Sequence, residues 1–109
     1  MKITAIRKEV GKEPELIDIE NDIASLHREV GGFFEIVGSY VCTGNFLTMD
    51  NAEELCDYNC KIERREYYGT ILYVGPISKA FPSADDEAIK RFRRQKMYGN
   101  LKPNLWVWQ

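Results

Sequence analysis

From Lys2 to Arg7 apolar and polar residues alternate, with Ile3 and Ala5 on one side, and this period of two predicts a first strand. Gly11-Lys12-Glu13-Pro14 reads as a turn. Beyond it Leu16-Ile17-Asp18-Ile19 reads as a short strand, so residues 2–19 look like a hairpin with a long loop. The period then lengthens. Ile23, Leu26 and Val30 recur at helical spacing behind Asn21, a suitable N-cap, and Gly31-Gly32 end that helix where a left-handed residue is commonly needed. Residues 33–41 read as a strand interrupted by Gly38, which marks a bulge or a close backbone approach.

Thr43-Gly44-Asn45 predicts a hairpin turn into a short strand over residues 46–49. Asp50 or Asn51 is placed to cap a helix over residues 52–58, and residues 67–74 form the clearest late strand, stopped by Gly75-Pro76. Ser83 precedes Ala84-Asp85-Asp86-Glu87, a capping box that opens a helix running to about Tyr98, with Gly99 closing it. Strands without regular strand–helix alternation predict an α+β fold: a mostly antiparallel sheet with two or three helices packed on it. Nothing marks an internal boundary, so residues 1–109 are expected to be one domain with residues 100–109 as a C-terminal aromatic tail.

Composition narrows the class. The 109 residues are 44% hydrophobic and 29% charged, near globular averages, which argues against disorder. No run approaches the roughly 20 apolar residues of a bilayer-spanning helix, and charge at Lys2, Arg7 and Lys8 interrupts any signal-peptide core. The expected location is the cytoplasm of a host cell, with no membrane partner. Net charge is −2 but unevenly placed: residues 1–60 hold 5 basic and 12 acidic side chains, and residues 61–109 hold 10 basic and 5 acidic. Such a polarised surface suits docking on a charged partner, or attraction between the two halves of the fold itself.

The chain resembles a family of small proteins of unknown function borne by bacteriophages, plasmids and other mobile elements. The resemblance rests on residues 26–37, where a helix ends in Val30-Gly31-Gly32 before Phe33 and a strand bearing Glu35. A second match is Gly69-Thr70-Ile71-Leu72-Tyr73-Val74-Gly75, and a weaker one is the acidic helix start at Asp85-Asp86-Glu87. It departs from the family at Thr43-Gly44-Asn45-Phe46 and in the tail. These motifs are structural, so the resemblance implies a fold and a mobile-element setting and transfers no catalytic or binding residue.

Candidate chemistry is sparse. His27 lies off the Ile23/Leu26/Val30 stripe and reads as an exposed or edge histidine, and it is the only imidazole a nucleophilic cysteine could recruit. Cys56 and Cys60 have the only metal-like spacing among three cysteines that include Cys42, and a second ligand pair is missing, so neither a metal nor a cofactor is expected. Glu35, flanked by Phe34 and Ile36, reads as a surface charge facing a basic residue on a neighbouring strand. The chain is expected not to be an enzyme. Lys90, Arg93, Arg94 and Met97 share one face of the last helix, and Trp106 and Trp108 point the same way from an extended tail; these six are the candidate partner-binding residues. The expected function is non-catalytic binding that occludes a host protein, for example an anti-defence role against a CRISPR or restriction complex. Nucleic-acid binding through the basic helix and sequestration of a small nucleotide ligand are the alternatives, and a homodimer is possible through the tail.

Overall fold

The structure is a computed structural model and describes residues 2–40 and 43–75. Strand β1 (Lys2–Lys8) turns through Gly11, at φ 73°, into β2 (Glu15–Glu20), and the two pair antiparallel with Ile3 opposite Ile19 and Ala5 opposite Ile17. Helix α1 (Ile23–Val30) follows. Its N-cap is Asp22, not Asn21: the Asp22 carboxylate accepts from the Ser25 N–H at 2.7 Å. Gly31, at φ 99°, closes the helix as expected, and the N–H groups of Gly31 and Gly32 both donate to the His27 carbonyl at 2.9 Å. Strands β3 (Phe34–Gly38) and β4 (Asn45–Met49) form a second antiparallel pair, and β7 (Ile71–Val74) inserts between β1 and β4. The five-stranded sheet therefore runs β2-β1-β7-β4-β3.

The central strand β7 is buried throughout, and its alternate residues feed two cores. Leu72 and Val74 join Ile3, Ala5, Ile19 and Leu47 beneath Leu26 and Val30 of α1. Each of those helix side chains contributes about 1.5–3 kcal/mol of apolar burial. Ile23, expected on the same stripe, is instead 53% exposed. On the opposite face Ile71 and Tyr73 join Ile6 and Phe46, with the rings of Phe46 and Tyr73 edge-to-face at 5.0 Å.

A hairpin covers that second face. Strands β5 (Tyr58–Ile62) and β6 (Arg65–Tyr68) set Cys60, Ile62 and Tyr67 against Phe46 and Tyr73. The expected α+β arrangement, with two or three helices packed on the sheet, is overturned. Among the described residues helix is confined to the eight residues of α1 and to α2 (Ala52–Leu55), only four residues long, so this is a small β-rich fold of antiparallel strands. The helix expected over residues 52–58 stops early because Tyr58 onward pairs with β6, with a bulge between Tyr58 and Cys60. The single strand expected over residues 67–74 is two. Gly69, at φ 73°, breaks it, sending β6 to the hairpin and β7 to the main sheet. The third helix expected near residues 84–98 lies outside the described residues.

Candidate functional site

Strand β3 is one edge of the sheet, and its backbone parity decides what that edge presents. Asp50 N–H donates to the Phe33 carbonyl at 2.8 Å and Ser39 N–H to the Gly44 carbonyl at 3.3 Å, so odd-numbered residues of this stretch turn their backbone groups toward β4. Even-numbered residues turn theirs outward. One of those outward groups, the Tyr40 N–H, donates to the Glu63 carboxylate at 2.7 Å, and the Ser39 hydroxyl donates to the same oxygen at 3.0 Å.

Glu63 reaches this edge from the tip of the β5–β6 hairpin. Ile62 pairs with Arg65, leaving Glu63 and Arg64 as a two-residue loop, and both have positive φ (51° and 71°). Turns of this kind favour Asn and Gly, so holding Glu and Arg there costs about 1–2 kcal/mol per residue. Next to the tip, Arg65 donates to the Glu35 carboxylate, and its guanidinium carbon lies 5.3 Å from the centre of the Tyr67 ring. Glu35 and Arg65 are each about half exposed, at 47% and 45%, so solvent screening keeps the pair below about 1 kcal/mol.

These contacts bound an open cleft of about 1060 Å³ lined by Ile36, Tyr40, Glu63, Arg64 and Tyr67 among others. A smaller hollow of about 450 Å³, bordered by Thr48, Glu53 and Tyr68, lies beside the same Glu35–Arg65 pair. Tyr40 is 92% exposed at the rim. Burial pushes the Tyr67 phenol up to about 12, and outside both hollows the hydrogen bond to Glu66 raises Tyr58 to about 12. Both hydroxyls stay protonated near neutral pH. The walls thus offer hydrogen-bond donors and acceptors, two carboxylates, two guanidinium groups and aromatic rings, which suits holding a ligand.

The titratable groups beneath the sheet are locked into the core. Lys8 has no exposed surface; its ammonium donates to the Glu9 carbonyl at 2.9 Å and to the Asn59 side-chain oxygen at 2.8 Å, and burial lowers its pKa. Burial pushes the neighbouring Cys60 thiol up to about 11, against the opposing pull of Lys8, so it remains a thiol. Cys56 is a free, half-buried thiol packed near Gly69. His27 is partly buried, edge-on to Phe33 and Phe34 at 5.0 and 5.1 Å. Among the described residues no group of three His, Cys, Asp or Glu side chains is placed to hold a metal, and no helix is long and apolar enough to cross a membrane.

Of the described residues weighed for chemistry in the sequence (His27, Glu35, Cys56 and Cys60), Glu35 lines the cleft, facing Arg65 from the hairpin. The six partner-binding candidates, Lys90, Arg93, Arg94, Met97, Trp106 and Trp108, lie outside the described residues. The model of DUF3846, a domain of unknown function, matches residues 1–97. The chain belongs to that family. No curated protein and no solved structure matches it. The DUF3846 match spans every described strand and helix and all the residues of the cleft, whereas Trp106 and Trp108 fall beyond it.

Proposed function

We propose that this DUF3846 protein is a non-catalytic binding protein that occludes a host protein, and that the cleft beside β3 is its docking face. The observation that carries this reading is the edge of β3, unpaired on its outer side among the described residues and backed by a cleft with charged and aromatic walls. Edges and concave surfaces of this kind are where sheets accept partners. The resemblance to proteins of phages, plasmids and mobile elements supplies the setting, and a defence complex of the host, such as a CRISPR or restriction nuclease, is the target class that setting favours.

The test is an affinity pull-down from the host with the full-length chain, run beside a Tyr40→Ala/Arg64→Glu variant. The expected result is a host protein retained by the wild type and lost with the variant. Recovery of no host protein, or recovery unaffected by the two substitutions, would overturn the reading.

A further inference from the structure

We infer that the outer edge of β3 takes an extended segment of the partner protein as an added strand, with a carboxylate side chain of that segment paired to Arg64. The inference rests on the proposed function and names the chemistry of the partner.

Three observations converge on it. The first is the backbone. Ile36 and Gly38 share the outward parity of Tyr40, and no described strand pairs with their N–H and C=O groups. Glu63 already holds the Tyr40 N–H, so this edge accepts a carboxylate at one end, and among the described residues Ile36 and Gly38 stay open to a further strand. Sheets normally guard such an edge with charge, proline or a bulge. The far edge, β2, carries three carboxylates, Glu15, Asp18 and Glu20, whereas β3 carries one charged residue, Glu35, which is held by Arg65 of the hairpin.

The second is the flanking surface. Ile36 is 48% exposed and shares the parity of Phe34, which packs on the α1 side of the sheet, and Phe33, 74% exposed, stands beside His27 of α1 just before the strand. An added strand would lay alternate side chains over this apolar ledge and aim the others into the cleft.

The third is charge. Glu63 sits in a strained turn position that its hydrogen bonds to Ser39 and Tyr40 explain. Arg64 occupies the adjacent strained position, and its guanidinium has no ion pair or hydrogen bond with any described residue. A costly backbone position with no internal return is a feature of binding sites. The ligand for Arg64 is a single carboxylate on a polypeptide rather than a nucleic-acid backbone, because the β3 edge matches the N–H and C=O groups of a peptide strand, and Glu35 and Glu63 in the same cleft disfavour a run of phosphates more than one carboxylate.

The experiment pans the full-length chain against a displayed library of short linear peptides and follows the best binder by amide hydrogen exchange. The expected binders alternate β-branched or aromatic residues around an Asp or Glu, and they slow exchange at the Ile36 and Gly38 amides. Arg64→Gly, which relieves the turn, should weaken the best binder about tenfold or more. Ile36→Pro removes an outward N–H that β4 does not use and should abolish binding. Its native-like exchange at β7 shows that the sheet is intact. Enrichment of acid-free peptides, unchanged exchange at Ile36 and Gly38, or Arg64-dependent retention of DNA would overturn the inference. So would amides at 36 and 38 already protected in the free chain, since the edge would then be occupied by the chain itself or a second copy. A cleft-dependent host partner without any selected peptide would leave the proposed function standing and remove the strand inference. Selected peptides without a host partner would do the reverse.

Discussion

Asn59 and Lys8 clasp the hairpin to the sheet in both directions: the Lys8 ammonium donates to the Asn59 side-chain oxygen at 2.8 Å, and the Asn59 amide donates back to the Lys8 carbonyl at 2.8 Å. The same amide also donates to the Gly69 carbonyl at 2.6 Å, where β6 hands over to β7. One side chain therefore satisfies two buried carbonyls and a buried amine. Asn59→Leu should destabilise the protein by about 3 kcal/mol, since the two carbonyls lose the amide and the Lys8 ammonium keeps only the Glu9 carbonyl among its described partners. Urea denaturation followed by tyrosine and tryptophan fluorescence measures it, and a loss under about 1 kcal/mol would contradict the clasp.

Alkaline stability should be governed by the same corner. Burial holds the Cys60 thiol up to about 11, above its ordinary value of 9.0, so the folded state keeps its proton longer than the unfolded state. The contribution is fully present below the unfolded value and is lost as pH rises toward the folded one, a drop of about 2–3 kcal/mol. Lys8 acts in the opposite sense. Its lowered pKa makes stability rise as pH climbs from that lowered value toward 10.5. Cys60→Ala should thus remove the loss that begins at 9.0 and reveal the Lys8 gain, leaving the loss that Tyr58 and Tyr67 cause above 10.0. Denaturation midpoints across this range that fall equally in wild type and variant would show that Cys60 is not the cause.

The hairpin turn offers a prediction of opposite sign. Arg64, at φ 71°, is a position where glycine carries no steric penalty. Arg64→Gly should raise stability by about 0.5–1 kcal/mol. Glu63→Gly should gain less or lose, because it also releases Ser39 and Tyr40. Equal effects of the two substitutions would show that the turn carries no separable strain.

Gly44 sits where any side chain collides with the core. A Cβ there would overlap the Val74 carbonyl oxygen and the Tyr73 ring, while the Gly44 N–H donates to the Tyr73 hydroxyl at 2.8 Å. Gly44→Ala should cost about 3 kcal/mol, and Tyr73→Phe about 1–3 kcal/mol through the orphaned N–H. Thermal melts of both variants check this, and a Gly44→Ala protein that melts like the wild type would refute the close approach.

The parts of the fold written in periodicity were readable. Strands β1, β2 and β4 and helix α1 all fall where apolar spacing and the Gly31-Gly32 stop place them. The hairpin was not readable, for three physical reasons. Its turn is Glu63-Arg64 with no Gly, Asn or Pro, its buried positions include Asn59, and a bulge between Tyr58 and Cys60 breaks the alternation. The strong β-formers of residues 67–74 also concealed the break at Gly69, whose reason lies in tertiary packing. The cleft was obscured for the same cause. Glu35 showed its need for a basic neighbour, but Arg65 lies 30 residues away on a strand that periodicity did not reveal.

The position of β7 has a consequence for the order in which the protein can be made. It is the last described strand in sequence yet the middle one in space, pairing with Ile6–Lys8 on one side and Asn45–Thr48 on the other. During synthesis the β1–β2 and β3–β4 pairs emerge first, each with an apolar face and an inner edge that nothing yet fills. Ile71–Val74 then joins them in one step that closes chain loops of very different length. Until that strand is available, the two outer pairs lack the strand that joins them into one sheet, and their inner edges and apolar faces have nothing to pack on. Closure of the described five-stranded sheet therefore waits on four residues, Ile71–Val74.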